Sequence, residues 1–92
     1  MNILQTNSFK KAIKRLPLKQ KQNLDQIIRT LINDPLLGSE KLGDLVGIRV
    51  YKFPMLNQQR LLAYKYIKQD SLIILLAFGP HENFYRDLKN TL

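Results

Sequence analysis

Cysteine is absent from the 92 residues. That excludes a disulfide scaffold, a thiolate metal site and cysteine nucleophile chemistry together. Histidine occurs once, as His81, so a multi-histidine zinc or iron centre is excluded too. No stretch approaches the ~20 apolar residues of a membrane span, and the longest run, Leu72 to Phe78, suits a buried strand. The opening Met1-Asn2-Ile3-Leu4-Gln5 lacks a basic segment followed by an apolar core, so no secretion signal is expected. A soluble, cytoplasmic domain without metal, cofactor or membrane contact is the expectation. The length allows one domain and one modest core. Hydrophobic residues at 45% and charged residues at 24% argue against wholesale disorder.

Acidic residues are scarce relative to basic ones. Fifteen Lys and Arg against seven Asp and Glu give a net charge of +8 and a pI near 10.0. Such an excess favours polyanions, because each neutralised phosphate releases a condensed counterion. The distribution is uneven: residues 1–33 hold seven basic and one acidic side chain, and residues 34–92 hold eight and six. Lys10, Lys11, Lys14, Lys19 and Lys21 concentrate the excess and are the candidate nucleic-acid-binding residues, with Arg49 further on. A solvated helical face and a surface for an acidic protein partner fit the same charge.

Phe9, Ala12, Ile13 and Leu16 fall at i, i+3, i+4 and i+7, which predicts a short amphipathic helix capped by Ser8. Pro17 ends it at a corner. Leu24, Ile27, Ile28, Leu31 and Ile32 repeat the spacing over a longer helix that stops before Pro35. Asp34 to Ser39 reads as a turn-forming linker. Beyond Gly47 the pattern changes to strands at 48–53, 60–67 and 72–78, with turns at 54–58 and 69–71. The 72–78 strand is apolar on both faces and predicts a central position. Gly79-Pro80 ends it, residues 82–92 form a terminal helix, and residues 2–6 add an N-terminal strand. The fold class is α+β: a small antiparallel β-α-α-β-β-β sheet, a helical hairpin on one face, and a short C-terminal helix. Lys52, Arg60, His81 and Tyr85 then fall on or just beyond three successive strands. Strand ends are where a sheet can hold a rigid site.

An ordered set of residues carries a further signal. Asp34-Pro35 with Gly38, Lys41-Leu42 with Gly47, Gln59-Arg60-Leu61-Leu62-Ala63-Tyr64, and Phe78-Gly79-Pro80-His81-Glu82-Asn83-Phe84-Tyr85 together resemble the RelE/ParE superfamily. These are bacterial toxins of type II toxin–antitoxin operons. The resemblance spans nearly the whole chain and implies the fold just described, with an antitoxin as partner. RelE-like members are ribosome-dependent endoribonucleases that cut messenger RNA, whereas ParE-like members poison DNA gyrase and lack the ribonuclease residues. By resemblance, Arg60 matches a phosphate-binding arginine. His81 matches the general-acid position, and Tyr85 matches a terminal aromatic that stacks on the substrate nucleotide. Lys52 lies near the basic strand positions, and Glu40 resembles the acidic base of the YoeB branch.

The chemistry gives these residue types sense. RNA is cut without metal when its 2′-hydroxyl attacks the adjacent phosphorus. The reaction needs a base, a cation for the developing charge and an acid for the departing 5′-oxygen. Arg60 offers a planar charged fork and His81 an imidazole that can pass a proton. Lys52 or Glu40 supplies the base, and Tyr85 holds an unstacked nucleobase. The expected function is a metal-independent, ribosome-dependent endoribonuclease that inhibits translation. The alternatives are a gyrase inhibitor and a basic RNA-binding module without activity.

Overall fold

The computed structural model describes all 92 residues. Strand β1 (Asn2–Gln5) leads into helices α1 (Asn7–Ile13) and α2 (Leu18–Asn33). Strands β2 (Ser39–Glu40), β3 (Arg49–Met55), β4 (Gln58–Ile67) and β5 (Leu72–Pro80) follow, and helix α3 (Phe84–Asn90) closes the chain. The sheet order is β1-β5-β4-β3-β2. The meander β2-β3-β4-β5 is antiparallel, but β1 pairs with β5 in parallel. The helical hairpin between β1 and the meander makes a crossover long enough to allow that direction. The sheet is therefore mixed rather than wholly antiparallel.

Two cores form on opposite faces of this sheet. On the hairpin face Phe9, Leu24 and Leu31 of the helices pack with Phe53, Met55, Leu62, Tyr64, Ile73 and Leu75. On the other face Leu45, Ile48, Val50, Leu61, Ala63 and Leu76 pack with Phe84 and Leu88 of α3. Strand β4 alternates Leu61 and Ala63 to one side with Leu62 and Tyr64 to the other, as a pleated strand covered on both faces must. The most enclosed strand is thus β4, and β5 lies beside it.

Several local expectations are corrected by backbone chemistry. Thr6 rather than Ser8 caps α1, its Oγ1 accepting the Phe9 N–H at 3.2 Å. The same hydroxyl donates to the Leu76 carbonyl at 3.0 Å. That carbonyl sits where β5 carries one extra residue: Ala63 pairs with Ala77, yet Tyr64 pairs with Leu75. The bulge turns Leu76 and Ala77 towards the α3 face and brings Phe78 back to the hairpin face. Strand β5 also runs on through Gly79 and Pro80 to pair with Leu61 and Arg60. The β3–β4 turn is shorter than residues 54–58. Only Leu56 and Asn57 lie between the strands, both left-handed with φ of 51° and 62°, the conformation of a two-residue turn.

The linker after α2 is a held structure rather than a plain turn. Tyr64, fully buried, donates its hydroxyl proton to the Pro35 carbonyl at 2.7 Å. It accepts the Gly38 N–H at 3.0 Å. A Cβ on Gly38 would stand 2.8 Å from the Tyr64 ring, so glycine is required for this close approach. Beyond it, Ser39–Glu40 pair with Val50–Arg49 as the edge strand β2.

Candidate functional site

The strand register fixes where each candidate residue projects. Lys52 stands opposite Leu61, which stands opposite Gly79. Leu61 belongs to the α3-side core, so Lys52 emerges on the α3 face and is exposed there. Two residues past Gly79, the His81 ring lies 6.2 Å from that of Tyr85 at 80°. Tyr85 opens α3, half-buried, and meets Phe84 edge-on at 5.4 Å. Lys52, His81 and Tyr85 therefore share one face at one end of the sheet.

Arg60 is not among them. It stands opposite Phe53 on one side and Pro80 on the other, and Phe53 belongs to the hairpin-side core. The guanidinium accordingly leaves on the hairpin face, where Nη1 donates to the Gln58 side-chain oxygen at 2.7 Å. The sequence expectation placed Lys52 and Arg60 side by side, and the period-2 alternation of strands puts them on opposite faces instead. The corresponding α3-face position on β4 is Leu61, which is apolar and fully buried.

Glu40 and Arg49 are brought together elsewhere. They are register partners, with an Arg49 Nη2 to Glu40 Oε2 distance of 3.8 Å. Arg49 also donates through Nη1 to the Gly38 carbonyl at 2.8 Å and the Leu36 carbonyl at 3.2 Å. These contacts tie the linker to β3. Four residues along β3 separate Arg49 from Phe53, the partner of Arg60, which is about 13 Å of strand. The lysines of the basic run, Lys10, Lys11, Lys14, Lys19 and Lys21, are all exposed on the hairpin.

One residue near the site entered the sequence reading only within the resemblance and was given no role. Lys41 places its Nζ 5.3 Å from the centre of the Tyr85 ring. No local pattern gives it a role beside Tyr85, because the pairing depends on β2 delivering the chain beside α3. A groove of about 310 Å³ between α1 and α3 is lined by Ser8, Ala12, Phe78, Gly79, Asn83 and Asp87 among others, without a basic side chain. It lacks the charge that a nucleic-acid site requires.

Comparison with known proteins agrees with this architecture. No curated protein matches the chain. Among solved structures, the chain is similar to the RelBE2 toxin–antitoxin complex of Mycobacterium tuberculosis, with a TM-score of 0.75 at 15% identity over 87% of this chain and 96% of that one. It is similar to the intact RelBE toxin–antitoxin complex of E. coli, with a TM-score of 0.70 at 16% identity over 88% and 96%. A conserved hypothetical protein of Helicobacter pylori matches with a TM-score of 0.57 at 20% identity over 88% and 94%. At such identities these likenesses show a shared fold. The family model described as the ParE-like toxin of type II bacterial toxin–antitoxin systems matches residues 3–89, nearly the entire chain, and the chain belongs to that family of toxins.

Proposed function

We propose that this toxin arrests growth by cutting messenger RNA on the α3 face of its sheet, held in check by an antitoxin encoded with it. The observation that carries the reading is the gathering of His81, Tyr85 and Lys52 at one end of that face. RNA supplies its own nucleophile, so the protein needs to move two protons and hold one nucleotide. His81, as imidazolium, protonates the departing 5′-oxygen; Lys52, as its neutral amine, takes the proton of the attacking 2′-hydroxyl; and Tyr85 stacks on the base. Glu40, the other candidate base, stands opposite Arg49 and so in line with Tyr64 of the hairpin-side core, and it leaves on the other face, which leaves Lys52 for that role. The solved relatives bound to antitoxins support the antitoxin partner, and the fold shared with RelE supports the ribosome as the place of cutting.

A second reading has one observation in its favour. Leu61 fills the α3-face position between Lys52 and Gly79, while Arg60 faces away. A toxin that binds DNA gyrase without cutting RNA needs no arginine there. The two readings separate on induction in cells. Transcripts cut in codon register, with 2′,3′-cyclic phosphate and 5′-hydroxyl ends, support the ribonuclease. Intact transcripts with broken DNA and filamentation move the assignment to gyrase.

A further inference from the structure

We infer that Lys41 grips the RNA phosphate at this site, and that its ammonium covers the Tyr85 ring until a nucleobase takes its place. The inference rests on the RNA-directed reading above and supplies the cation that Arg60, on the opposite face, does not bring. Lys41 has a fixed backbone: it follows β2 directly, and its N–H donates to the Ile48 carbonyl at 2.9 Å. The segment after it is docked on α3. Leu45 packs with Phe84 and Leu88, and Asp44 Oδ2 lies 3.6 Å from Lys89 Nζ. Lys41 and Tyr85 therefore belong to one rigid unit rather than to two mobile surfaces.

The electrostatic surroundings of Lys41 point to an anion as its ligand. No carboxylate lies within 4.0 Å of its Nζ, because Glu40 faces Arg49 and Asp44 faces Lys89. Lys41 is half-buried, and its ammonium has an aromatic ring as its neighbour, 5.3 Å to the centroid. A ring quadrupole is a weaker partner for an ammonium than a charged oxygen. A phosphate entering beside Tyr85 draws Nζ away from the ring. The exposed ring face then accepts the adjoining base, with His81 already at 6.2 Å. The same side chain thus keeps the platform covered when empty and neutralises the backbone when filled.

The test measures binding apart from cutting. The probe is a short, fluorescently labelled, 2′-O-methylated single-stranded RNA, which lacks the nucleophile, titrated with the full chain over a salt series. Lys41→Met is expected to bind roughly three- to tenfold more weakly, and to lower the slope of log affinity against log salt by about 0.7. Lys41→Arg retains both values. Lys68→Met removes an equal charge at the far end of the sheet and changes neither. Lys41→Gln replaces the methionine variant if that variant fails to fold. A wild-type slope in Lys41→Met, an equal loss in Lys68→Met, or a wild-type chain that does not bind the probe would each overturn the inference. Expected binding results with intact cellular transcripts would sink the cleavage reading alone. Cut transcripts with unchanged Lys41→Met binding would sink the Lys41 assignment alone.

Discussion

Tyr64→Phe is the sharpest test of how the linker is held. Removing the hydroxyl leaves the buried Gly38 N–H without its 3.0 Å acceptor and the Pro35 carbonyl without its 2.7 Å donor. An orphaned buried amide costs ~1–3 kcal/mol and the second bond contributes about 1 kcal/mol, so the loss is about 2–4 kcal/mol. A domain of this length has a total stability of about 5–14 kcal/mol. With a slope near ~2 kcal/mol per molar, the urea midpoint falls by about 1–2 M. The thermal midpoint drops by roughly 10–30 °C. Arg49 still donates to the Leu36 and Gly38 carbonyls, so the variant folds and the slope stays unchanged. Gly38→Ala provides the second arm, since its Cβ would press on the same ring at 2.8 Å. Both changes break one contact, so the double variant loses less than the sum of the singles. A Tyr64→Phe variant within ~0.5 kcal/mol of wild type, below any cost of an orphaned amide, would refute the account.

Burial raises the Tyr64 phenol above its ordinary 10.0, so the folded chain keeps that proton after the unfolded chain has lost it. Stability from this group is therefore complete below pH 10 and declines as pH rises further, and alkaline urea titrations of Tyr64→Phe should lack that component. Leu56 and Asn57 are left-handed in a turn that favours Asn-Gly; Leu56→Asn combined with Asn57→Gly should raise stability by ~1 kcal/mol in urea unfolding. Thr6→Ala removes both the helix cap and the bond to the bulge carbonyl, and should lower stability by about 1–2 kcal/mol in the same assay. His81→Ala should slow RNA cutting by ~10²–10⁴-fold, while Arg60→Ala, on the other face, stays within roughly tenfold. Primer-extension rates on translating ribosomes check that pair, and equal losses would show the substrate reaching both faces.

The helices were legible because their apolar residues repeat at 3.6 spacing, and the corner at Pro17 is a covalent constraint. Strand positions were legible for the same kind of reason, with β-branched and aromatic runs between turn residues. Face assignment was not, although it follows from counting. Arg60 and Lys52 look adjacent along a meander until the register pairs Lys52 with Leu61, one residue out of phase with Arg60. The linker was misread because its organiser, Tyr64, lies 26 residues beyond Gly38, and no local pattern announces a tyrosine that serves a distant backbone. The Thr6 cap was missed for a related reason: its second bond is to Leu76, 70 residues away. Lys41 was quoted in the resemblance but its place beside Tyr85 was not legible, because β2 is only two residues long, too short for any strand signal. His81 and Tyr85 were legible as a pair only through the resemblance, because His81 precedes the left-handed Asn83 cap of α3 and a turn, not a helical repeat, brings the two rings together.

The face assignment also separates the two basic features of the molecule. The apolar stripe of α2 is turned inward, with Leu24 and Leu31 buried against the sheet. Lys10, Lys11, Lys14, Lys19 and Lys21 remain exposed on the hairpin. Lys41, Lys52, His81 and Tyr85 lie on the far side of that sheet, beside α3. Charges in solvent are screened over about 8 Å at physiological ionic strength, so each hairpin lysine acts chiefly on what it touches. Ser8 and Ala12 of α1 line one groove with Asn83 and Asp87 of α3, so the two sides of the sheet meet at the β5 edge. On the proposed ribonuclease reading, a polyanion that follows this edge meets the α1 lysines and the site in turn, each contact adding its own share of the salt dependence.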